Sequence, residues 1–328
     1  MNKETNNHRF PFIKNDRYYN SADDHPESFL FQTIPSFISS LYGRKKRQPE
    51  NKSEWIALEP PLEQSKEPVI TWIGHASFLI QGAGVNILTD PIFGPASAFF
   101  PRILPPGIAR EHLPRIDYVI VSHNHRDHCD LASLQALKKT NPNMVLLVPK
   151  GDKQWLENKG LGPAVEHTWW QSYTHEAHEG PVTFTFLPAH HWSAQGVFDR
   201  NKSLWGSWMI SFDGNDAKNI YFAGDTSYSD HFNHIVQEFS GISTALMPIA
   251  PEKPHPWMRK SHMDAQEAVQ AFIDLKAHHF IPMHWGTFQF GLDTFHGPIE
   301  RLKTEWDHHQ LHDRKKLTIS KVGQRIII

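Results

Sequence analysis

The chain has 328 residues, 39% of them hydrophobic, with 33 Lys and Arg against 35 Asp and Glu. That is a globular composition, not a disordered one, and is long enough to bury a substantial core. A formal net charge of −2 argues against a nucleic-acid partner, which would require a basic surplus. No run approaches the roughly 18 consecutive apolar residues that span a bilayer.

The first twenty residues lack the apolar stretch of a secretory signal. The single cysteine, Cys129, cannot close an internal disulfide, which fits the cytosol. Residues 1–67 read as an N-terminal extension rich in Asn, Pro and charge. They contain one apolar island, Phe29–Tyr42, followed by Arg44-Lys45-Lys46-Arg47. The pair reads either as an interfacial element with a basic anchor or as an arm packing on the domain. Pro35 interrupts any single helix there.

Residues 68–328 read as one catalytic domain. Short β-rich runs bounded by turn residues predict strands at Val69–Ile73, Ser77–Ile80, Val85–Leu88 and Tyr118–Val121. A second group is predicted at Met144–Val148, Val182–Leu187, Leu204–Phe212, Asn219–Ala223 and Thr244–Ile249. Helical patterns fall at Leu131–Lys138 and Asp264–His278, the latter opened by a D-x-x-E capping signature. Two groups of strands with helices between them make an α/β layered sandwich.

The strand Tyr118–Val121 runs into S-H-N-H-R-D-H at Ser122–His128. His123 and His125 alternate, so on an extended segment both imidazoles point the same way. Asp127 and His128 follow where the chain turns into a helix. Three histidines within six residues would repel one another if charged; they make sense as neutral imidazoles sharing cations with a carboxylate. A dinuclear site needs further donors, and three loops after predicted strands offer them: His190-His191, Asp225 in F-A-G-D-T, and His284 in M-H-W-G-T-F.

These segments, with T-W-I-G-H-A-S-F (Thr71–Phe78), L-T-D-P-I-F (Leu88–Phe93), H-W-S (His191–Ser193) and L-W-G-S-W (Leu204–Trp208), resemble the metallo-β-lactamase superfamily. More narrowly they resemble its N-acyl-phosphatidylethanolamine phospholipase D branch and bacterial relatives. The resemblance spans Thr71 to Phe288, about two-thirds of the chain. It implies a four-layer αββα sandwich. It also implies that His123, His125 and His191 bind one metal, that Asp127, His128 and His284 bind the other, and that Asp225 bridges them. The family's histidine directly precedes an aromatic residue, here Trp192, which favours His191 and leaves His190 as the alternative. By the same resemblance His75 and Asp90 orient the ligand imidazoles, and His262 acts on substrate.

Mixed nitrogen and oxygen donors favour two Zn²⁺ per chain, with Mn²⁺ or Fe as substitutes. A related iron-binding redox branch carries Glu where this chain has His125. Zinc lowers the pKa of its water from 15.7 to about 7, so the expected reaction is in-line hydroxide attack on a phosphodiester, with Asp127 orienting the nucleophile as well as ligating. A phospholipase D-type reaction on N-acyl-phosphatidylethanolamine-like phospholipids follows from the branch resemblance. A lactonase or other ester or amide hydrolase would use the same donors, and a non-catalytic metal-binding protein is the reading from another class. Expected partners are a small-molecule or phospholipid substrate and a membrane surface touched peripherally by the N-terminal segment, with a homodimer left open. Phe99, Phe100, Ile103, Leu104 and Pro105 form either a lipid-facing loop or core, and Cys129 reads as a small apolar residue.

Overall fold

A computed structural model describes residues 10–21, 24, 48–57, 59–213, 218–239 and 241–328. The apolar island Phe29–Tyr42 and the basic run after it lie outside the described residues. A short hairpin, β1 (Phe12–Lys14) and β2 (Arg17–Tyr19), precedes the body. The first sheet has seven strands, β3 (Val69–Gly74), β4 (Ser77–Gly82), β5 (Val85–Thr89), β6 (Tyr118–Ile120), β7 (Val145–Pro149), β8 (Ala164–His167) and β16 (Arg325–Ile327), in the order β16-β3-β4-β5-β6-β7-β8. The second contains β9 (Ser172–Ala177), β10 (Gly180–Leu187), β11 (Ser207–Phe212), β12 (Ile220–Phe222), β13 (Thr244–Pro248), β14 (His279–Met283) and β15 (Lys316–Leu317), in the order β15-β14-β13-β12-β11-β10-β9. Each sheet joins an antiparallel half to a parallel half.

The parallel halves explain why the strands read as unbroken apolar runs, since both of their faces are covered. On β4, Phe78 and Ile80 join the large core that includes Phe184, Phe186, Trp208 and Ile210 of the facing sheet. Leu79 between them turns to the other side, where Val119, Leu146 and Val148 pack with Leu134 and Leu137 of α1 (Leu131–Thr140). On the far side Val269 and Phe272 of α5 (Ala265–Asp274) and Leu302 and Trp306 of α6 (Gly297–His308) complete the layers. Shorter helices are α2 (Lys153–Glu157), α3 (His231–Glu238) and α4 (His255–Met258). The order is helix, sheet, sheet, helix, as expected.

Two boundaries moved by three residues or more. The helix expected over Asp264–His278 opens with the anticipated capping box between Asp264 and Glu267 but ends at Asp274. Lys276 there adopts a left-handed backbone, φ +53°, which closes a helix. The strand expected from Leu204 begins only at Ser207, because the Gly206 N–H bonds to Ser122 O at 3.0 Å instead of joining the ladder. Strand β9 went unread because its sequence, S-Y-T-H-E-A, is polar and its residues alternate between exposed and half-buried.

Described parts of the N-terminal 67 residues lie against the body. Ile56 bridges to Val322, and Trp55 stacks edge-on against Trp285 and Phe295, with ring centroids 5.3 and 5.4 Å apart.

Candidate metal centre

Nine side chains meet at one rim, from six loops that each follow a strand: His75 after β3, Asp90 after β5, His123, His125, Asp127 and His128 after β6, His191 after β10, Asp225 after β12 and His284 after β14. Four of these loops leave the carboxyl ends of strands with a parallel neighbour, β5, β6, β12 and β14, where such folds gather their functional loops. His75, Asp90 and His284 take φ of +56°, +34° and +63°, a left-handed backbone that non-glycine residues enter at a cost of ~1–3 kcal/mol and that clusters at functional sites. Gly224 lets the Asp225 loop close in: a Cβ there would sit 2.5 Å from Ser122 Cβ.

Two groups of donors result. In the first, His123 Nε2 lies 2.7 Å and His191 Nε2 3.2 Å from His125 Nδ1. In the second, His128 Nε2 lies 3.3 Å from His284 Nε2, with Asp127 Oδ2 3.5 and 3.9 Å from those two nitrogens. The Asp225 carboxylate stands between the groups, 3.0 Å from His284 Nε2, 3.3 Å from His128 Nε2 and 3.8 Å from His191 Nε2.

Four of the opposite ring nitrogens are tied back, whereas His125 Nε2 has no hydrogen bond. His123 Nδ1 pairs with Ser122 Oγ at 2.9 Å, His128 Nδ1 with Asp90 Oδ2 at 2.7 Å, His191 Nδ1 with Ser261 O at 2.8 Å and His284 Nδ1 with Ala250 O at 2.8 Å. Each bond takes the Nδ1 proton of a neutral ring, whose Nε2 lone pair then faces inward. Unprotonated nitrogens aimed at one another repel unless something electropositive lies among them. A tetrahedral ion ~2.0–2.1 Å from each would space them about 3.3 Å apart, close to what is seen. Asp225 Oδ1 is buried without a hydrogen bond, a cost a bound cation removes. The donor set therefore fits metal ions.

Charge agrees. Burial holds His123 well below the ordinary imidazole range and takes His125 and His191 down to about 3, which keeps them neutral as metal binding requires. His128 goes the other way: burial opposes its charge, but the Asp225 and Asp127 carboxylates raise it well above the usual value. That spot draws positive charge.

The comparisons agree with this geometry. Residues 85–285 match the Beta-lactamase superfamily domain. The chain belongs to the metallo-β-lactamase superfamily. Among its members, the N-acyl-phosphatidylethanolamine-hydrolyzing phospholipase D 1 of Caenorhabditis elegans is 31% identical over 262 residues, covering 76% of this chain and 73% of that one. The mitochondrial N-acyl-phosphatidylethanolamine-hydrolyzing phospholipase D of Saccharomyces cerevisiae is 34% identical over 256 residues; the match covers 74% of this chain but only 53% of the yeast protein. A metallo hydrolase from the archaeon Ignicoccus hospitalis superposes with a TM-score of 0.60 at 22% identity, over 80% of this chain and 98% of that one. This superfamily member is a metal-dependent hydrolase.

The remaining sequence candidates take distinct places. His190 is turned aside, its ring against Ser227 Oγ and its N–H on Thr226 Oγ1. His75 Nε2 reaches Asp127 Oδ2 at 2.9 Å, and Asp90 accepts from Ser122 N and Oγ at 2.7 and 2.6 Å. His75 lies within ligand distance of the second group and Asp90 within that of His123 and His128. Their polar atoms are already engaged in holding Asp127, His128 and Ser122, so we assign them that work. His262 comes within 3.7 Å of Asp225, its Nδ1 without a hydrogen bond. Cys129 is buried in the outer core, where burial raises its thiol pKa. Ile103 and Leu104 are core, whereas Phe99 is exposed and Phe100 faces a cleft of about 500 Å³ over the centre.

The tryptophans of L-W-G-S-W, which carried the branch resemblance, turn out to be buried supports. Trp208 Nε1 donates to Val121 O at 2.9 Å, just before the histidine motif, and Trp205 Nε1 to Ala189 O at 3.1 Å, just before His190. Sequence reasoning missed Asn20, whose amide also meets Trp205 and His191; a lone Asn in a polar arm carries no visible signal.

Proposed function

We propose that the chain is a dinuclear zinc hydrolase that cleaves the phosphodiester of N-acyl-phosphatidylethanolamine-like phospholipids in the manner of a phospholipase D. The observation that carries the dinuclear reading is the Asp225 carboxylate, buried between two groups of donors. His123, His125 and His191 would hold one ion, and Asp127, His128 and His284 the other. The names of the worm and yeast relatives support the substrate class, and so does the cleft, whose walls include Phe100, Trp192, Val197, Trp257 and Phe290.

Bound zinc ions would supply Lewis acidity and a low-pKa water beside the scissile phosphate. The chain's own residues then bind and orient. His75 donates to Asp127 and fixes the carboxylate that faces the cleft. His262, held by burial at a pKa of about 3, is neutral near pH 7 and offers one N–H to a phosphoryl oxygen or to the departing alkoxide. The aromatic walls exclude water and take up acyl chains. Exposed Val197 and Trp257 at the cleft, with Phe99 and Phe198 nearby in sequence, suit a substrate drawn from a membrane surface, and peripheral contact there through the N-terminal segment belongs to the same proposal. No described helix is long and apolar enough to cross a membrane.

The test combines metal quantification with turnover. Purified protein should hold two zinc ions per chain and release phosphatidic acid from N-acyl-phosphatidylethanolamine vesicles, and it should hydrolyse bis-(p-nitrophenyl) phosphate. Turnover of a lactone panel with neither phosphodiester cleaved would replace the phospholipase reading by the lactonase one.

A further inference from the structure

His191 lies in a loop with no ladder to satisfy its peptide groups, yet a residue that presents a ring to an ion needs a fixed backbone. Its N–H donates to Asn20 Oδ1 at 3.1 Å, and its carbonyl accepts from Asn20 Nδ2 at 3.0 Å. One side-chain amide thus engages both polar groups of a single residue, as a neighbouring strand would. The same Oδ1 accepts from Trp205 Nε1 at 3.1 Å, and Nδ2 also donates to Asp24 Oδ2 at 3.0 Å. Each amide atom has two partners, so Asn20 cannot turn without breaking several bonds.

The arm that carries Asn20 is itself pinned. Tyr18 N–H donates to Asn201 O at 2.8 Å, and Asn201 Nδ2 returns a bond to Tyr18 O at 2.9 Å. Asn201 N–H in turn donates to Ser193 O at 2.7 Å, two residues beyond His191, and Tyr19 is buried. The hairpin β1–β2 therefore lies along the segment 191–201 like an added strand. His123, His128 and His284 instead draw the ring partners described above from the body of the domain.

We infer that Asn20 is a positioning residue for His191, and that the N-terminal arm is in this way part of the three-histidine site. The inference rests on the dinuclear reading above. With the backbone held by Asn20 and Nδ1 by Ser261 O, the ring has one orientation left, with Nε2 toward His125. Removing the amide frees the peptide groups on both sides of the ring and lets Nε2 leave the cluster. Partners that orient metal-bound histidines typically contribute ~10–100-fold to metal affinity.

The experiment uses the full chain loaded with zinc and follows ion release to a chromophoric chelator in wild type, Asn20→Ala, Asn20→Asp, His191→Ala and the double variant. Expected is ~10–100-fold easier release of one of two ions in Asn20→Ala. An effect at least as large is expected in Asn20→Asp, which keeps the acceptor for His191 N–H but sets a carboxylate oxygen against the His191 carbonyl and Asp24 Oδ2. In the His191→Ala background, Asn20→Ala should add nothing, because the two act on one site. Wild type with two ions and Asn20→Ala releasing them at the wild-type rate overturns this inference alone. So does a lowered melting temperature of the metal-free Asn20→Ala protein with unchanged release, the signature of a merely structural arm. Wild type unable to retain two ions overturns the dinuclear reading and this inference together.

Discussion

His123 and His191 are held by neutral partners: a serine hydroxyl, a peptide carbonyl and an asparagine amide. Asp127, His128 and His284 sit among charges, with Asp90 behind His128 and Asp225 in front of it. Neutral support fixes geometry without adding attraction, whereas carboxylates in a buried setting add attraction for any cation placed there. The two donor groups, similar in ligand count, should therefore differ in grip. On titration with chelator the ion at the three histidines should leave first and the ion at Asp127, His128 and His284 second, read as two phases of release.

Asp225 is where that contrast should vanish, because its oxygens face both groups. Asp225→Ala should weaken both ions by more than about 100-fold, above the range for an outer partner, and abolish turnover. Metal analysis after gel filtration would show it; a variant that keeps one ion at wild-type affinity would move Asp225 out of the shared position. Asp90→Asn should act on one side. An amide placed there cannot take the proton of His128 Nδ1 and the two Ser122 bonds together, so the imidazole is free to move its proton to Nε2 and lose its inward lone pair. The expected cost is ~10–100-fold in the affinity of the slowly released ion, with the fast phase little changed. Ser122→Ala tests where the two supports touch. Its Oγ donates to Asp90 Oδ2 and accepts from His123 Nδ1, so its loss should weaken both phases by about tenfold.

Much of this contrast was legible before any coordinates, and the reason is local. H-x-H-x-D-H compresses four donors into six residues, and each further donor sits directly after an apolar strand, where period and turn chemistry can be read. The supports were harder. Asp90 and His75 were placed by resemblance, and Trp205 and Trp208 marked the branch without disclosing that their indoles brace two loops of the centre. Asn20 lies 171 positions from His191, in an arm of polar residues with no periodicity, so no local pattern could link them. Strand β9 failed for a similar reason: at the edge of its sheet, its pairing to β10 supplied what its own sequence did not.

The smallest expected effect concerns the neutral side. Between His123 and His125, Asn124 donates through Nδ2 to Asp152 Oδ1 at 2.9 Å. Asp152 is 1% exposed, and burial pushes its carboxyl up to about 7, with nearby Glu166 and Asp199 adding to the rise against bonds from Ser203 and Asn124. A carboxyl that holds its proton more tightly folded than unfolded makes the fold lose stability as pH climbs from about 4, its unfolded value, to about 7, with no further loss above. Asp152→Asn removes that slope while keeping an oxygen to accept from Asn124. Measured on metal-free protein, the variant's melting temperature relative to wild type should rise by a few degrees between pH 4.5 and pH 8. Both phases of zinc release at neutral pH should stay as in wild type. A melting difference that ignores pH would mean Asp152 is ionised in the fold throughout. The three-histidine side would then carry a buried charge beneath it after all, and the contrast with the carboxylate side would narrow.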